Sequence, residues 1–217
     1  MLASTNFDDG SAASVGKSVS SPGISPYWPW ASTLRSLVDQ FSALAQFPAP
    51  QPRASDINQV AEEALAQFAG RLDGITVRRE LEPNLPQVHA DPTSLRRALV
   101  NLIDNAAEAM QGSLLRVLTV SSALVEDGTA VEIVVSDTGH GLTDDIRERL
   151  FLPFYSTKQR GTGLGLSIAA KIVQEHGGTI RAESNQPKGA RFLVRVPAME
   201  QPAHENAAPT PQMGAHS

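Results

Sequence analysis

The sequence of 217 residues has no cysteine, which excludes disulfides, thiolate-held metals and cysteine nucleophiles. Nor is there an excess of basic side chains. Eighteen Lys and Arg against 23 Asp and Glu leave a net charge of −5, which argues against nucleic-acid binding as the main task. No apolar run approaches the roughly 18 residues a membrane span requires. Asp8 and Asp9 stand where an export signal would carry positive charge. The expectation is a soluble, unexported, cytoplasmic chain without a membrane span. What is present, 41% hydrophobic and 19% charged residues, is globular composition with enough length for one good core.

Composition shifts along the chain divide it. Residues 1–28 are rich in Ser, Gly, Ala and Pro without an apolar period, and are expected to be disordered. From Ala31 to Phe47, Leu34, Leu37, Val38, Phe41, Leu44 and Ala45 recur at helical spacing, and a Pro-rich linker, "PAPQP", follows, so that 29–53 form a helix plus linker. A helix capped by Asp56 and closed by Gly70 carries Val60, Ala61, Ala64, Leu65 and Phe68 on its apolar face. Two short strands, near "ITVRREL" and "QVHA", precede Asp91 and Pro92, which announce a helix through about Met110.

"LLRVLTVSSALV" and "AVEIVVSD" read as a hairpin around the turn "EDG". After a glycine-rich stretch come a helix ending at "HGG", a strand "TIRAES", a turn at "NQPKG" and a strand "ARFLVRV". The main domain thus spans 54–198, and 199–217 read as a disordered tail. This order of elements predicts an α/β fold, a two-layer sandwich with helices on one face of a mixed, largely antiparallel sheet.

Four stretches can carry chemistry. In "LRRALVNLIDNAAEAM", Asn101 and Asn105 lie one turn apart on one side of a helix. A solvated polar stripe explains either alone, whereas two amide oxygens so placed can serve Mg²⁺ that borrows phosphates for its other ligands. In "VVSDTGHGL", Asp137 ends an apolar strand ahead of Gly139 and Gly141. Asp-Thr-Gly is often only a turn, but a carboxylate on the floor of an apolar cleft can accept a hydrogen bond from an exocyclic amine. His140 between the glycines is given no role. In "LFLPFYSTK", Phe151 and Phe154 are expected to anchor a loop that carries Lys158 towards phosphate oxygens. Finally, "GTGLGLS" runs from a loop into a helix N-terminus, whose amides and dipole attract phosphate. No Gly-Lys-Ser/Thr follows, so it is not a Walker A loop.

In this order and spacing the four stretches resemble the N, G1, F and G2 boxes of the catalytic and ATP-binding domain of bacterial sensor histidine kinases. That domain belongs to a superfamily shared with DNA gyrase and the mismatch-repair ATPases. "NAAEAM" and the short segment between "STK" and "GTGLGL" look closest to the nitrogen-regulation sensor kinases of the NtrY/NtrB kind, and "LVDQFSALAQFPAP" resembles the end of their dimerisation helix. The resemblance implies a Bergerat-type ATP-binding fold with ATP and Mg²⁺ as cofactors. It implies Asn105 as the Mg²⁺ ligand and Asn101 beside the phosphates. Asp137 would read adenine, with Gly139 and Gly141 as the G1 glycines. Lys158 would lie on a lid of residues 142–160, and Gly161, Thr162, Gly163, Leu164 and Gly165 would lie at the triphosphate. Asn101 and Lys158 are the candidate catalytic residues. Hydrolytic relatives have a water-activating glutamate where Asn101 stands, so its absence fits transfer to a protein side chain.

A kinase of this type phosphorylates a histidine on its dimerisation helix. His89, His140, His176, His204 and His216 all lack that context, so the acceptor is expected from a histidine-bearing dimerisation domain or a full-length kinase acting in trans, with a response regulator downstream. The alternatives are a nucleotide-gated module that docks on a helical partner without phosphotransfer, and a serine kinase that shares the boxes.

Overall fold

The structure, a computed structural model, describes residues 49–156 and 162–200. The expected N-terminal disorder, the 31–47 helix and most of the C-terminal tail lie outside the described residues, as do Lys158 and Gly161.

Strand β1 (Arg53–Ser55), hidden from sequence reading by its length and its Pro-rich neighbour, pairs antiparallel with β3 (Val88–Ala90), the strand expected near "QVHA". Helix α1 (Ile57–Ala66) begins where Asp56 accepts from the amides of Asn58 and Gln59. It ends at Ala66 with Gln67 as its cap, several residues before Gly70, which sits at φ +74° in the following turn. Helix α2 (Pro92–Ala109) has Asp91 as N-cap and proline in its first turn, and buries Leu95, Leu99, Leu102 and Ile103.

Five strands form the main sheet, in the order β2–β4–β5–β7–β6. They are β2 (Thr76–Leu81), β4 (Val117–Val125), β5 (Ala130–Ser136), β6 (Thr179–Ser184) and β7 (Ala190–Pro197). Only β2 with β4 is parallel; the other three pairings are antiparallel. The β4–β5 hairpin closes through Glu126–Gly128 as expected, with Glu126, Asp127 and Gly128 all at positive φ. Alternation then sorts the side chains by face. Leu118, Val120, Val131, Ile133, Val135, Phe192 and Val194 are buried and meet α1, α2 and α4 (Gly165–Glu175), while Thr119 and Ser121 lie on the opposite face. On that face Val134 and Leu193 are register partners, 5% and 8% exposed. Each fully buried side chain of the helix-facing layer contributes about 1.5–3 kcal/mol relative to exposure. The result is the expected two-layer α/β sandwich.

Two local differences stand out. A short helix, α3 (Asp144–Arg149), lies inside the 142–160 stretch, with Thr143 Oγ1 accepting from the Ile146 amide, acids in its first turn and arginines in its last. Next to it, Phe151 packs on the core but Phe154 is 53% exposed at φ +63°, so only one of the two expected anchors is one. At the other end, the Met199 amide donates to Gln87 O at 2.7 Å, extending the ordered backbone slightly past 198.

Candidate functional site

Strand β5 delivers Asp137 to the sheet's end, where its backbone N–H donates to Ala190 O and its carbonyl accepts from Asn185 Nδ2 at 2.8 Å. The side chain is 1% exposed. Oδ1 accepts from the amides of Gly139 at 2.8 Å and Ala190 at 3.2 Å, while Oδ2, equally buried, has no partner. Burial pushes this carboxyl above its ordinary pKa, against the two amides and the nearby His140, which pull the other way. A buried carboxylate oxygen without a donor costs about 1–3 kcal/mol or more, and in a native fold it calls for an explanation.

The glycines around Asp137 have separate reasons. At Gly139 a side chain would collide with the backbone carbonyl of Ala109, so this residue lets β5 close against the C-terminal end of α2. The His140 amide then donates to that same carbonyl at 3.2 Å. His140 Nδ1 stands 2.8 Å from Gly141 O; a carbonyl only accepts, so Nδ1 bears the proton. Its ring joins the cavity wall, which loop position alone did not indicate.

Asn101 and Asn105 project from α2 on the cavity side. Asn101 is no solvated stripe residue: its Nδ2 is buried without a partner, the second orphaned polar atom of the described residues. The N-terminus of α4 faces it. A side chain at Gly165 would come 3.7 Å from Asn101 Oδ1, which places the helix end directly across from the asparagine. Helix α4 has no side-chain cap and no acidic residue in its first turn, leaving its dipole end uncompensated.

These groups border one cavity of about 360 Å³. Asn101, Asn105, Asp137, Gly141, Thr162, Gly163 and Gly165 line it. Gly139 lies behind the wall, and the Leu164 side chain is in the core, 3% exposed, with its amide donating to Thr162 Oγ1. Sequence reading missed Ile146, Tyr155 and Phe192, which form apolar and aromatic wall, and Asp104 and Glu108, which add carboxylates along α2. The acidic pair could have been found from the helical spacing that relates Asp104 and Glu108 to Asn101 and Asn105. Gly163, at φ +68°, packs against the backbone of Phe154, within 2.6 Å of where a Cβ would stand, so the segment after α3 and the glycine loop meet there. No group of three or more His, Cys, Asp or Glu able to hold a metal exists among the described residues.

Residues 90–200 match the model of the histidine kinase-, DNA gyrase B- and HSP90-like ATPase family. The chain belongs to that family. Within it, the sequence is 39% identical over 153 residues to the sensor protein FixL of Bradyrhizobium diazoefficiens, covering 70% of this chain and 30% of FixL. It is 36% identical over 148 residues to the sensor histidine kinase ZraS of Escherichia coli, covering 67% of this chain and 31% of ZraS. The chain thus spans less than a third of the length of these curated relatives. Its structure is similar to the nucleotide-free catalytic domain of the histidine kinase ThkA, with TM-score 0.61 and 30% identity over 68% of this chain and 98% of that one. It is also similar to full-length ShkA in complex with AMPPNP, with TM-score 0.66 and 25% identity over 79% and 37% of the two chains. These matches make it a catalytic domain of the sensor-histidine-kinase type. No helix among the described residues is long and apolar enough to cross a membrane.

Proposed function

We propose that this chain binds Mg²⁺-ATP in the cavity between α2, α4 and Asp137, and transfers the γ-phosphoryl group to a histidine of a dimerisation domain, upstream of a response regulator in a cytoplasmic two-component system. The observation that carries the reading is the pair of orphaned polar atoms at one cavity: Asp137 Oδ2 lacks a donor and Asn101 Nδ2 lacks an acceptor. Adenine offers the amino hydrogen that Oδ2 lacks, and a phosphate oxygen offers the acceptor that Nδ2 lacks. The apolar wall of Ile146, Leu150 and Phe192 suits a purine, and the uncapped end of α4 suits the triphosphate.

The donor set also fits Mg²⁺. Amide oxygens from Asn105 and Asn101 are hard ligands, and among the described residues no three carboxylates or imidazoles come together to cage a metal, which suits an ion that keeps waters and takes phosphates. When bound, Mg²⁺ would neutralise charge on the phosphates. Asn105 would hold it, Asn101 would orient the phosphate chain, and the amides of Gly163 and Gly165, with Thr162 and Leu164 between and beside them, would cradle that chain. Lys158 and Gly161 complete the set on sequence position alone. The acceptor imidazole attacks phosphorus while the bond to the bridging oxygen breaks and ADP leaves. The form "NAAEAM" supports placing the chain near the NtrY/NtrB kinases, with 54–198 as the catalytic domain.

The test supplies labelled ATP, Mg²⁺ and a dimerisation domain from an NtrB-type kinase. Acid-labile phosphate on that domain, dependent on this chain, is the expected result. ATP binding without transfer to any such acceptor would leave the docking-module reading standing instead. Acid-stable phosphate would point to a serine kinase.

A further inference from the structure

The segment "HGG" that ends α4 is unused by the site so far, yet its histidine is buried, 8% exposed. Gly177 and Gly178 form a Schellman close: the Gly177 amide donates to Gln174 O and the Gly178 amide to Val173 O. At Gly178 a side chain would collide with the carbonyl of Arg195, so this turn is pressed onto β7. His176 is the C-cap. Its Nδ1 lies 2.7 Å from Ile172 O and therefore carries the proton, which leaves Nε2 to accept from the backbone N–H of Asp91 at 3.0 Å.

Asp91 is the N-cap of α2. The two helices run antiparallel, with His176 against Asp91 at the start of α2 and Gly165 against Asn101 near the middle of α2. About 15 Å of α2 separates Asp91 from Asn101, and a similar length of α4 separates His176 from Gly165. The bond between His176 and Asp91 therefore ties the C-terminal end of α4 to the start of α2, while the N-terminal end of α4 meets Asn101 beside the cavity. A slide of α4 along α2 would break it, and the same slide would displace the Gly165 end of α4 from Asn101. We propose that His176 is a positioning residue that sets the register of α4 on α2 and thereby the spacing of the glycine end from Asn101 and Asn105. The consequence for nucleotide binding rests on the proposed function; the register itself does not.

Two substitutions separate the roles. His176→Gln places Oε1 where Nε2 stands and keeps an acceptor for the Asp91 amide. His176→Asn keeps a donor for Ile172 O but falls short of Asp91. Because the chain has no cysteine, spin labels on Thr93→Cys and Gln174→Cys, both exposed, report the pinned ends directly. The expected result is a parent-like label distance in His176→Gln and a shifted or broadened one in His176→Asn. With it, affinity for a non-hydrolysable ATP analogue with Mg²⁺ should stay within about threefold of the parent in the Gln variant and fall about tenfold in the Asn variant, measured well below both melting temperatures. A parent-like label distance in the Asn variant overturns the register role. Equal affinity in both variants, with the distance changed, overturns its bearing on the site. A parent that binds no analogue overturns the proposed function and with it that bearing, while the label distances still decide the register.

Discussion

At the scale of single residues, Asp137 has the strongest conflict between stability and use. Its buried charge costs the nucleotide-free fold, and the same charge is what an amino group would meet. Asp137→Asn turns an acceptor into a donor facing the purine's own donor. It should weaken ATP binding by about 1.5–3 kcal/mol, roughly tenfold to more than a hundredfold, in calorimetry; affinity equal to the parent's would displace adenine from this end of the cavity. The pH dependence has a definite sign. Because the folded pKa is raised, the penalty of ionised Asp137 is present above that pKa and fades as pH falls towards the ordinary carboxylate value of about 3.9. Between about pH 7 and 4 the nucleotide-free parent should gain stability relative to Asp137→Asn in urea unfolding, and parallel profiles would contradict the shift. Asp137 was legible because an acid closes an apolar strand before glycines. Its partners Asn185 and Ala190 were not, since they lie 48 and 53 residues away in the chain.

Among the elements, the glycines that look alike in sequence separate by their neighbours. Gly139 is pressed against the backbone of Ala109, which cannot yield, so Gly139→Ala should cost about 1–3 kcal/mol or more in unfolding experiments by prising β5 from the end of α2. Gly165 has only ordinary contact with Asn101, at 3.7 Å, and sits at the start of a helix. Gly165→Ala should leave stability unchanged or raise it by about 0.4–1 kcal/mol, while its methyl, projecting between Asn101 and the phosphates, weakens ATP binding. A stability loss in Gly165→Ala as large as in Gly139→Ala would remove the distinction. Helix α2 makes the metal testable in the same way: Mg²⁺ should strengthen ATP-analogue binding in the parent and much less in Asn105→Ala, and an equal effect in both would exclude Asn105 as the ligand. Long helices were legible from their period and caps. Helix α3 was not, because six residues are too few for a helical period to show, and β1 is a three-residue strand beside prolines.

For the molecule as a whole, the two layers followed from the sequence of helices and strands, but the strand order did not. Register across the sheet joins segments such as Thr76–Leu81 and Val117–Ser122 that share no local signal, and no local pattern marks the one parallel pair among antiparallel ones. The fold places the described histidines, and their places bear on whether one of them can accept the proposed γ-phosphoryl group. His89 is on β3, next to the start of α2, about 15 Å of helix from Asn101. His176 is buried at that same end with both ring nitrogens engaged. His140 is on the cavity wall beside Asp137, at the end assigned to adenine, and its Nδ1 is committed to Gly141 O. None of the three can stand in line with a γ-phosphate at the Asn101 and Gly165 end, and alignment of that kind is worth about 7–11 kcal/mol of barrier in well-oriented reactions. The chain incubated alone with labelled ATP and Mg²⁺ should therefore bind nucleotide yet acquire no acid-labile phosphate. Label that appears on the chain and disappears on replacing His89 or His140 would show that the small sheet or the loop after β5 moves far enough to present an acceptor. Label lost on replacing His204 or His216 would place the acceptor in the segment beyond residue 200.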